Sequence, residues 1–191
     1  MISAIVLAAG QATRFGECKQ LVRLGGKTLL EHALAGVRGA KIDDVVVVLG
    51  ANAEEILERI AFRETVVINP DFAGGMSTSI QAGLRAAKGD AALIILGDQP
   101  FVASATLDAL IDEYRRTKAR VIIPTYRGLR GNPVLVDRSL FAEMMNIRGD
   151  VGCRAIFGDH ADSIVNVPVE DRGVVVDIDT AEDLVGTSKA L

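Results

Sequence analysis

The sequence predicts an α/β fold in which a mostly parallel sheet is covered by helices on both faces, giving a three-layer sandwich. Three short apolar runs, residues 4–7, 45–49 and 91–96, have no polar interruption, which is typical of strands buried on both faces. Apolar side chains recur at helical spacing in residues 29–37 and 107–114. Because strands and helices alternate at short intervals through the first two thirds of the chain, the pattern favours parallel strands joined by helices.

The final third of the chain is less regular. Residues 125–136 contain two glycines and a proline, a composition that favours a loop or hairpin over a helix. Short apolar runs at residues 164–167 and 174–178 predict two further strands. This part suggests an insertion or an antiparallel edge over the sheet. Because chains of about 100–200 residues usually bury one core, we expect residues 1–191 to form a single domain.

The composition restricts the class of protein. With 49% hydrophobic and 24% charged residues, it is that of an ordinary globular protein. The net charge of −4 argues against a nucleic-acid partner, because duplex binding depends on neutralising phosphates. No apolar run reaches the roughly 18 residues that a membrane span needs, so we expect no membrane insertion. The two cysteines lack a C-x-x-C pattern and the N-terminus lacks a charged n-region, which together predict a cytoplasmic protein.

The strongest functional signal is the segment from Ser3 to Lys19, where a predicted strand runs into a loop of small residues. Gly10 and Gly16 let backbone N–H groups approach a ligand closely, and Arg14 and Lys19 add two cations. Backbone amides combined with fixed cations suit a polyphosphate, since hydrogen-bond donors and positive charge are both supplied locally. A plain strand-to-helix turn is the alternative interpretation of the same glycines.

Ligands in open α/β sheets bind beyond the carboxyl ends of the strands, and four unusual loops are predicted there: residues 8–19, 69–76, 97–100 and 177–180. Asp98 lies in one of these loops. Alone it could simply cap a turn, but beside a phosphate loop its hard oxygen suits Mg²⁺. Asp177 and Asp179 flank Ile178 at a predicted strand end, and we expect only one of them to join the site. We favour Asp179 over Asp177; either could instead cap the last helix.

Other familiar sites are disfavoured. Residues 26–28 resemble the end of a P-loop, but Leu21 occupies the position that requires a glycine. The opening loop has Ala12 where the second glycine of the dinucleotide-binding fingerprint is needed. His32 and His160 have no partner at metal-ligand spacing, so we expect them to lie on a helix surface and in a loop.

Taken in order, the motifs resemble those of the MobA-like nucleotidyltransferases, a family with a GT-A-type, Rossmann-like fold. Leu7-Ala8-Ala9-Gly10 with Arg14, Gly16 and Lys19 is similar to the family's signature loop. The further motifs are Lys19-Gln20-Leu21, residues 25–32, Asn69-Pro70, Gly75-Met76 with Ser79, residues 96–100, residues 131–134, residues 149–154 and residues 177–184. The resemblance covers nearly the whole chain and is strongest for the molybdenum cofactor cytidylyltransferase branch.

The resemblance implies that the terminal phosphate of molybdopterin attacks the α-phosphorus of CTP in an Mg²⁺-dependent reaction that releases pyrophosphate. The implied catalytic residues are Lys19, Arg14 and Asp98, and the implied metal ligands are Asp98 with Asp179 or Asp177. The implied nucleotide-binding residues are Leu7, Ala8, Ala9, Gly10, Arg14, Lys19, Gly75, Met76 and Ser79. The implied acceptor-binding residues are Gly131, Asn132, Pro133, Asp150 and Arg154. A transient contact with a molybdoenzyme or its chaperone is implied as well.

Departures from the family pattern keep alternatives open. The guanylyl branch usually has glycine where this chain has Ala9, and an added methyl where a purine edge would pass favours cytosine; a GTP-using guanylyltransferase is the alternative. Asn132 replaces a usual histidine, which leaves another phosphorylated small acceptor open. Ala12, Phe15 and Ala181 are further departures. From a different class, a non-catalytic nucleotide- or cofactor-binding module is the third hypothesis.

Overall fold

The computed structural model describes residues 1–10, 18–178 and 183. The strands in this part of the chain are β1 (Ile2–Ala8), β2 (Arg23–Leu24), β3 (Lys27–Thr28), β4 (Asp44–Leu49), β5 (Thr65–Ile68), β6 (Ala91–Leu96), β7 (Val121–Tyr126), β8 (Leu129–Arg130), β9 (Val134–Asp137) and β10 (Ile164–Pro168). The α-helices are α1 (Leu29–Arg38), α2 (Ala53–Arg59), α3 (Met76–Ala86), α4 (Ser104–Thr117) and α5 (Phe141–Met144).

The central sheet of the described chain has eight strands, in the order β10-β7-β9-β6-β1-β4-β5, with β8 paired to β7. β1 lies at its centre and is parallel to both neighbours, β4 and β6. β4 with β5 and β7 with β10 are also parallel pairs, whereas β2 and β3 form a separate antiparallel hairpin. The predicted α/β fold with a mostly parallel sheet is therefore confirmed.

Two apolar cores cover the two faces of the sheet. Successive β1 side chains alternate between them: Ala4 and Val6 belong to one core and Ile5 belongs to the other. Apolar residues of α1, α2 and α4 complete the first core, and those of α3 and α5 complete the second. The arrangement is a three-layer sandwich, which explains the uninterrupted apolar runs within the central strands.

The antiparallel strand lies inside the sheet, whereas the sequence suggested an edge. β9 pairs antiparallel with β6 on one side and with β7 on the other. Leu135 packs in one core and Val134 and Val136 in the other, so β9 needs cover on both faces, which an interior position supplies. The predicted hairpin within residues 125–136 is confirmed by the β7–β8 pairing.

The strand predicted at residues 174–178 is wrong, because Arg172–Val175 forms a 3₁₀ helix. Asp171 starts that turn: its carboxylate accepts hydrogen bonds from Gly173 N at 2.8 Å and from Ala103 N at 2.9 Å. The bond from Gly173 is a local side-chain bond of the kind that competes with strand pairing, and the bond from Ala103 connects the turn to the start of α4.

Helix α1 begins with a capping box, which accounts for the residues that resemble a P-loop. Thr28 Oγ1 accepts a hydrogen bond from Glu31 N at 3.1 Å, and Glu31 Oε2 accepts one from Thr28 N at 2.7 Å. The bond from the Thr28 amide lowers the pKa of Glu31. This part of the box therefore stabilises the fold above the ordinary glutamate pKa and is lost as pH falls through the lowered value.

Among the described residues, no helix has both the length and the apolar character needed to cross a membrane.

We expect Thr28→Ala to lower the free energy of unfolding by about 1 kcal/mol at neutral pH, because α1 loses its side-chain cap. Urea denaturation followed by circular dichroism measures the change. Thr28→Ser keeps the hydroxyl and serves as the control. Equal losses in the two variants would contradict the capping role.

Candidate functional site

The loops that the sequence placed at one edge of the sheet are connected there by backbone hydrogen bonds. Gly97 N donates to Leu7 O at 2.9 Å, which joins the ends of β1 and β6. Asn69 N donates to Leu49 O at 2.8 Å, which joins the ends of β4 and β5. Ile178 N donates to Asp98 O at 3.2 Å and brings the late segment to the same edge. The predicted convergence therefore holds for the described parts of the four loops.

Lys19 and Asp98 meet at this edge. Lys19 Nζ donates to Asp98 Oδ2 at 2.8 Å, and their side chains are 12% and 35% exposed. The two residues are 79 positions apart in the chain, so only the fold brings this cation and this carboxylate together. Arg14 and Asp179, the other charged residues predicted here, lie outside the described residues.

The second oxygen of Asp98 suits a hard cation. Asp98 Oδ1 is buried and has no hydrogen-bond partner within the described chain, and a buried acceptor of this kind costs about 1–3 kcal/mol unless something compensates it. Residues 1–10, 18–178 and 183 contain no group of three or more His, Cys, Asp or Glu side chains that could hold a metal. A site with few carboxylates fits Mg²⁺, which is usually held by one or two carboxylates together with substrate phosphates and water. Asp98 and the exposed Asp177 are the described residues that could hold it.

Gln20 holds the ends of the opening loop, a role that sequence reasoning missed. Its Nε2 donates to Ala8 O at 3.2 Å and to Gly10 O at 3.3 Å, and its Oε1 accepts from Cys18 Sγ at 3.3 Å. The side chain is buried, and both polar atoms of its amide are hydrogen-bonded inside the protein. A polar residue in the apolar context of Leu21 and Val22 was the available signal.

The structure changes the argument about Ala9. Ala9 is buried in the core on the α3 face of the sheet, and its methyl lies against Gly50, where an added Cβ would come within 2.8 Å of it. That same Cβ would lie 2.9 Å from Phe72 Cβ. The Ala9 methyl therefore packs between the loops after β1 and β4 and close to the loop after β5. Gly10, by contrast, is exposed and has open space where a side chain would point.

The first turn of α3 is covered by the segment that contains Asp150. Met76 N donates to Asp150 Oδ1 at 3.3 Å, and Ser77 N donates to Gly149 O at 3.2 Å. Gly75 has φ +95° and contacts the Gly149 backbone so closely that any Cβ would collide with it. The resemblance assigns Gly75 and Met76 to the nucleotide and Asp150 to the acceptor, so the structure brings members of two predicted sets into contact.

Ser79, also predicted on the nucleotide side, is buried and contacts Asn69. Asn69 Nδ2 donates to Ser79 Oγ at 3.0 Å and to Thr78 Oγ1 at 2.9 Å, while Asn69 Oδ1 accepts from Asp71 N at 3.0 Å. In this arrangement Ser79 positions Asn69, which connects the end of β5 to α3. Asn69 is a second residue to which sequence reasoning gave no role.

The predicted acceptor residues belong to two segments with different anchors. At the start of β9, Asn132 N donates to Val174 O at 2.8 Å and Gly131 packs directly on that carbonyl, with Pro133 buried next to them. Arg154 is exposed in a 3₁₀ helix, Cys153–Ile156, that follows the Asp150 segment. The structure thus anchors residues 131–133 to the 3₁₀ helix Arg172–Val175 and Asp150 to α3.

Both cysteines are buried, and both histidines contact an oxygen atom of the protein. Burial raises the pKa of the Cys18 thiol and raises that of Cys153 to about 12, so both thiols are protonated at neutral pH and unsuited to nucleophilic attack. His32 Nε2 lies 2.7 Å from Leu24 O, and His160 Nε2 lies 2.6 Å from Glu143 Oε2.

Residues 4–164 match the protein family described as MobA-like NTP transferase domain. Among individual proteins, the chain is 26% identical over 188 residues to molybdenum cofactor cytidylyltransferase from Escherichia coli K12, covering 96% of this chain and 94% of that one. It is 30% identical over 194 residues to nicotine blue oxidoreductase from Paenarthrobacter nicotinovorans, with the same coverage.

A solved structure is also similar over the whole chain. Rv0371C from Mycobacterium tuberculosis H37Rv, in complex with manganese, superposes with a TM-score of 0.85 at 27% sequence identity. The match covers 100% of this chain and 99% of that one.

We expect Gln20→Glu to lower the free energy of unfolding by about 2–3 kcal/mol, because a carboxylate oxygen would face two carbonyl oxygens in place of the amide donor. Urea denaturation measures the loss. Gln81→Glu is the matched control, since Gln81 is buried to a similar extent and donates to a single carbonyl, Ile147 O, at 2.8 Å. A loss in the control as large as that in Gln20→Glu would contradict the two-carbonyl contact.

Proposed function

Because the chain belongs to the MobA-like NTP transferase family, we propose that it is an Mg²⁺-dependent nucleotidyltransferase that transfers CMP from CTP to the terminal phosphate of molybdopterin. The observation that carries the proposal is the Lys19–Asp98 pair at the carboxyl edge of the sheet, next to the end of β1 where the signature loop begins. A cation and a carboxylate with a buried, unpartnered oxygen are the groups that a metal-bound triphosphate requires.

The reaction balances without a nucleophile from the protein. An oxygen of the acceptor phosphate forms the new bond to the α-phosphorus, and the bond from that phosphorus to the oxygen bridging to the β-phosphate breaks. The electron pair of the broken bond leaves with pyrophosphate. The protein therefore needs to position two anionic substrates and offset their charge, which agrees with the protonated state of both thiols.

Each described residue has a defined part in this proposal. Lys19 binds the phosphates with its ammonium group, and Gln20 holds the carbonyl groups of Ala8 and Gly10, which fixes the end of β1 beside the nucleotide. Asp98 and one aspartate of the late segment, Asp177 or Asp179, would hold Mg²⁺. When bound, the ion supplies charge neutralisation at the transferred phosphoryl group. Outside the described residues, Arg14 is proposed as a second phosphate-binding cation.

We propose that the packing of the Ala9 side chain favours cytosine over a purine base. Since the Ala9 methyl lies against Gly50 and near Phe72, the extra methyl shifts the loops that border the base pocket, which leaves less room for a purine than glycine would. Gly75 and Met76 complete the nucleotide side. GTP is the alternative nucleotide.

The acceptor is the part of the proposal that depends most on the relatives. The Escherichia coli relative is named for the molybdenum cofactor, and we propose the same acceptor here, bound by residues 131–133, Asp150 and Arg154. The relative named as an oxidoreductase indicates that family membership alone does not fix the substrate. We further propose that the enzyme acts in the cytoplasm and passes its product to a molybdoenzyme or its chaperone.

A pyrophosphate-release assay with purified molybdopterin cofactor and CTP, GTP or ATP tests the proposal. We expect turnover with CTP that exceeds turnover with GTP and ATP, and no release without Mg²⁺. Turnover with GTP alone would overturn the choice of base. Turnover with CTP and a sugar or polyol phosphate, but none with molybdopterin, would overturn the choice of acceptor. Binding of CTP without turnover of any acceptor would indicate a non-catalytic module.

We expect Lys19→Met to lower kcat/KM for CTP about 10²–10³-fold, because a charged donor to the phosphates is removed while the apolar stem remains. Asp98→Asn should lose activity to a similar extent through the metal site. Steady-state kinetics and thermal unfolding together check both variants. Lys88→Met is the control, since Lys88 is exposed at the opposite edge of the sheet, before β6. Unchanged kinetics in either site variant would contradict its assigned role.

A further inference from the structure

We propose that Gln99 is a positioning residue that holds the Asp177 carboxylate beside Asp98, so that Asp177 is the second carboxylate of the metal site. The inference rests on the proposed function, since it concerns the ligands of the metal which that function requires. Gln99 directly follows Asp98 in the chain.

The hydrogen bond between Gln99 and Asp177 is short, and the chemistry of the two groups fixes which atom donates. Gln99 Nε2 donates to Asp177 Oδ1 at 2.6 Å across 78 positions of sequence. An ionised carboxylate can only accept hydrogen bonds, so the amide nitrogen has to face Asp177 and the amide oxygen has to face elsewhere. Gln99 is 2% exposed whereas Asp177 is exposed. A fixed, buried donor thus restrains the direction of an exposed carboxylate.

The backbone around both residues is anchored independently of this bond. Gln99 N donates to Leu96 O at 3.2 Å and closes the turn after β6. On the other side, Ile178 N donates to Asp98 O at 3.2 Å, and the fully buried Ile178 packs in a small core with Val22 and Leu29. Asp177 is therefore held next to Asp98 by its main chain, and Gln99 fixes the direction of its side chain.

The surroundings of Gln99 contain more acceptors than donors. Within the described part of the chain, Asp98 Oδ1 and Gln99 Oε1 are both buried and have no hydrogen-bond partner. Two consecutive residues thus each present a desolvated, unpaired oxygen, with the Asp177 carboxylate on the other side of the amide. A hard cation held by Asp98 and Asp177 would offset the buried, unpaired Asp98 Oδ1.

The proposal reverses the preference for Asp179 that the sequence suggested. That preference assumed a strand through residues 177–179, whereas residues 176–178 follow a 3₁₀ helix and are not a strand. Asp179 lies outside the described residues, and the bond from Gln99 supports Asp177.

Direct measurement of Mn²⁺ binding tests the inference without relying on activity. Free Mn²⁺ is followed by electron paramagnetic resonance during titration of the wild type, Gln99→Met, Asp177→Asn and the double variant, each checked by thermal unfolding. Methionine keeps the length and apolar volume of glutamine but removes its amide. We expect Gln99→Met to weaken Mn²⁺ binding about tenfold, in the range seen when residues that orient metal ligands are replaced.

The double variant separates a positioning role from a general loss of packing. If Gln99 acts through Asp177, the double variant should bind Mn²⁺ no more weakly than Asp177→Asn alone, because the effects of coupled residues are not additive. Gln81→Met is the matched control: it removes a buried amide on α3 and should leave Mn²⁺ affinity unchanged. If Gln99→Met does not fold, Gln99→Asn, whose amide is one methylene too short to reach Asp177, carries the same expectation.

The outcomes distinguish this inference from the proposed function. Wild-type affinity in Gln99→Met, or fully additive losses in the double variant, would overturn the positioning role and leave the metal-dependent function standing. Unchanged affinity in Asp177→Asn would show that Asp177 is no ligand, with the same consequence. Failure of the wild type to bind Mn²⁺, both alone and with CTP present, would instead overturn the metal site itself, and with it both proposals.

Discussion

The burial of β1 between β4 and β6 is the constraint on which the rest of the carboxyl edge depends. β1 is paired along its length with a parallel strand on each side, and its side chains are shared between two cores. A strand held in this way cannot shift its register by one residue without moving apolar side chains from one core to the other. The point where the chain leaves the sheet at Ala8 is therefore fixed, and Lys19 reaches Asp98 from a rigid base.

Neutral amide side chains organise the loops that leave this base. Gln20, Asn69 and Gln99 are all buried, and each connects segments that are not otherwise continuous: the two ends of the opening loop, β5 with α3, and the turn after β6 with Asp177. An amide supplies both a donor and an acceptor but no net charge. The loops around an anionic substrate are thus held in place without changing the electrostatic balance, which depends on Lys19, Asp98 and the other charged groups.

Much of this arrangement could be predicted from the sequence, because the dominant signals were local. Apolar runs identified the central strands, and helical spacing located α1 and α4. The convergence of the loops followed from the general behaviour of parallel sheets. The interior position of β9 could not be predicted, since its four residues look the same at an edge as in the middle of a sheet. The turn at residues 172–175 was missed because Asp171, which starts it, bonds to an amide 68 positions away.

The roles of the amides were also beyond prediction. Gln20 and Gln99 occur within recognisable motifs, but nothing in a linear sequence indicates which carbonyl or carboxylate an amide will reach after folding. Ala9 shows the reverse difficulty. Its identity is plain in the sequence, yet the contact of its methyl with Gly50 depends on the close approach of a different loop.

The contact between Asp150 and the first turn of α3 has a thermodynamic consequence. Met76 N and Ser77 N are hydrogen-bonded to the segment at residues 149–150, so a ligand that rearranges Gly75 and Met76 also changes the environment of that segment. Any such ligand alters the free energy with which a second ligand binds at residues 149–154, and linkage requires the second ligand to alter the first by the same factor. Two substrates that divide these residues between them are therefore not independent in their affinities, whichever of them arrives first.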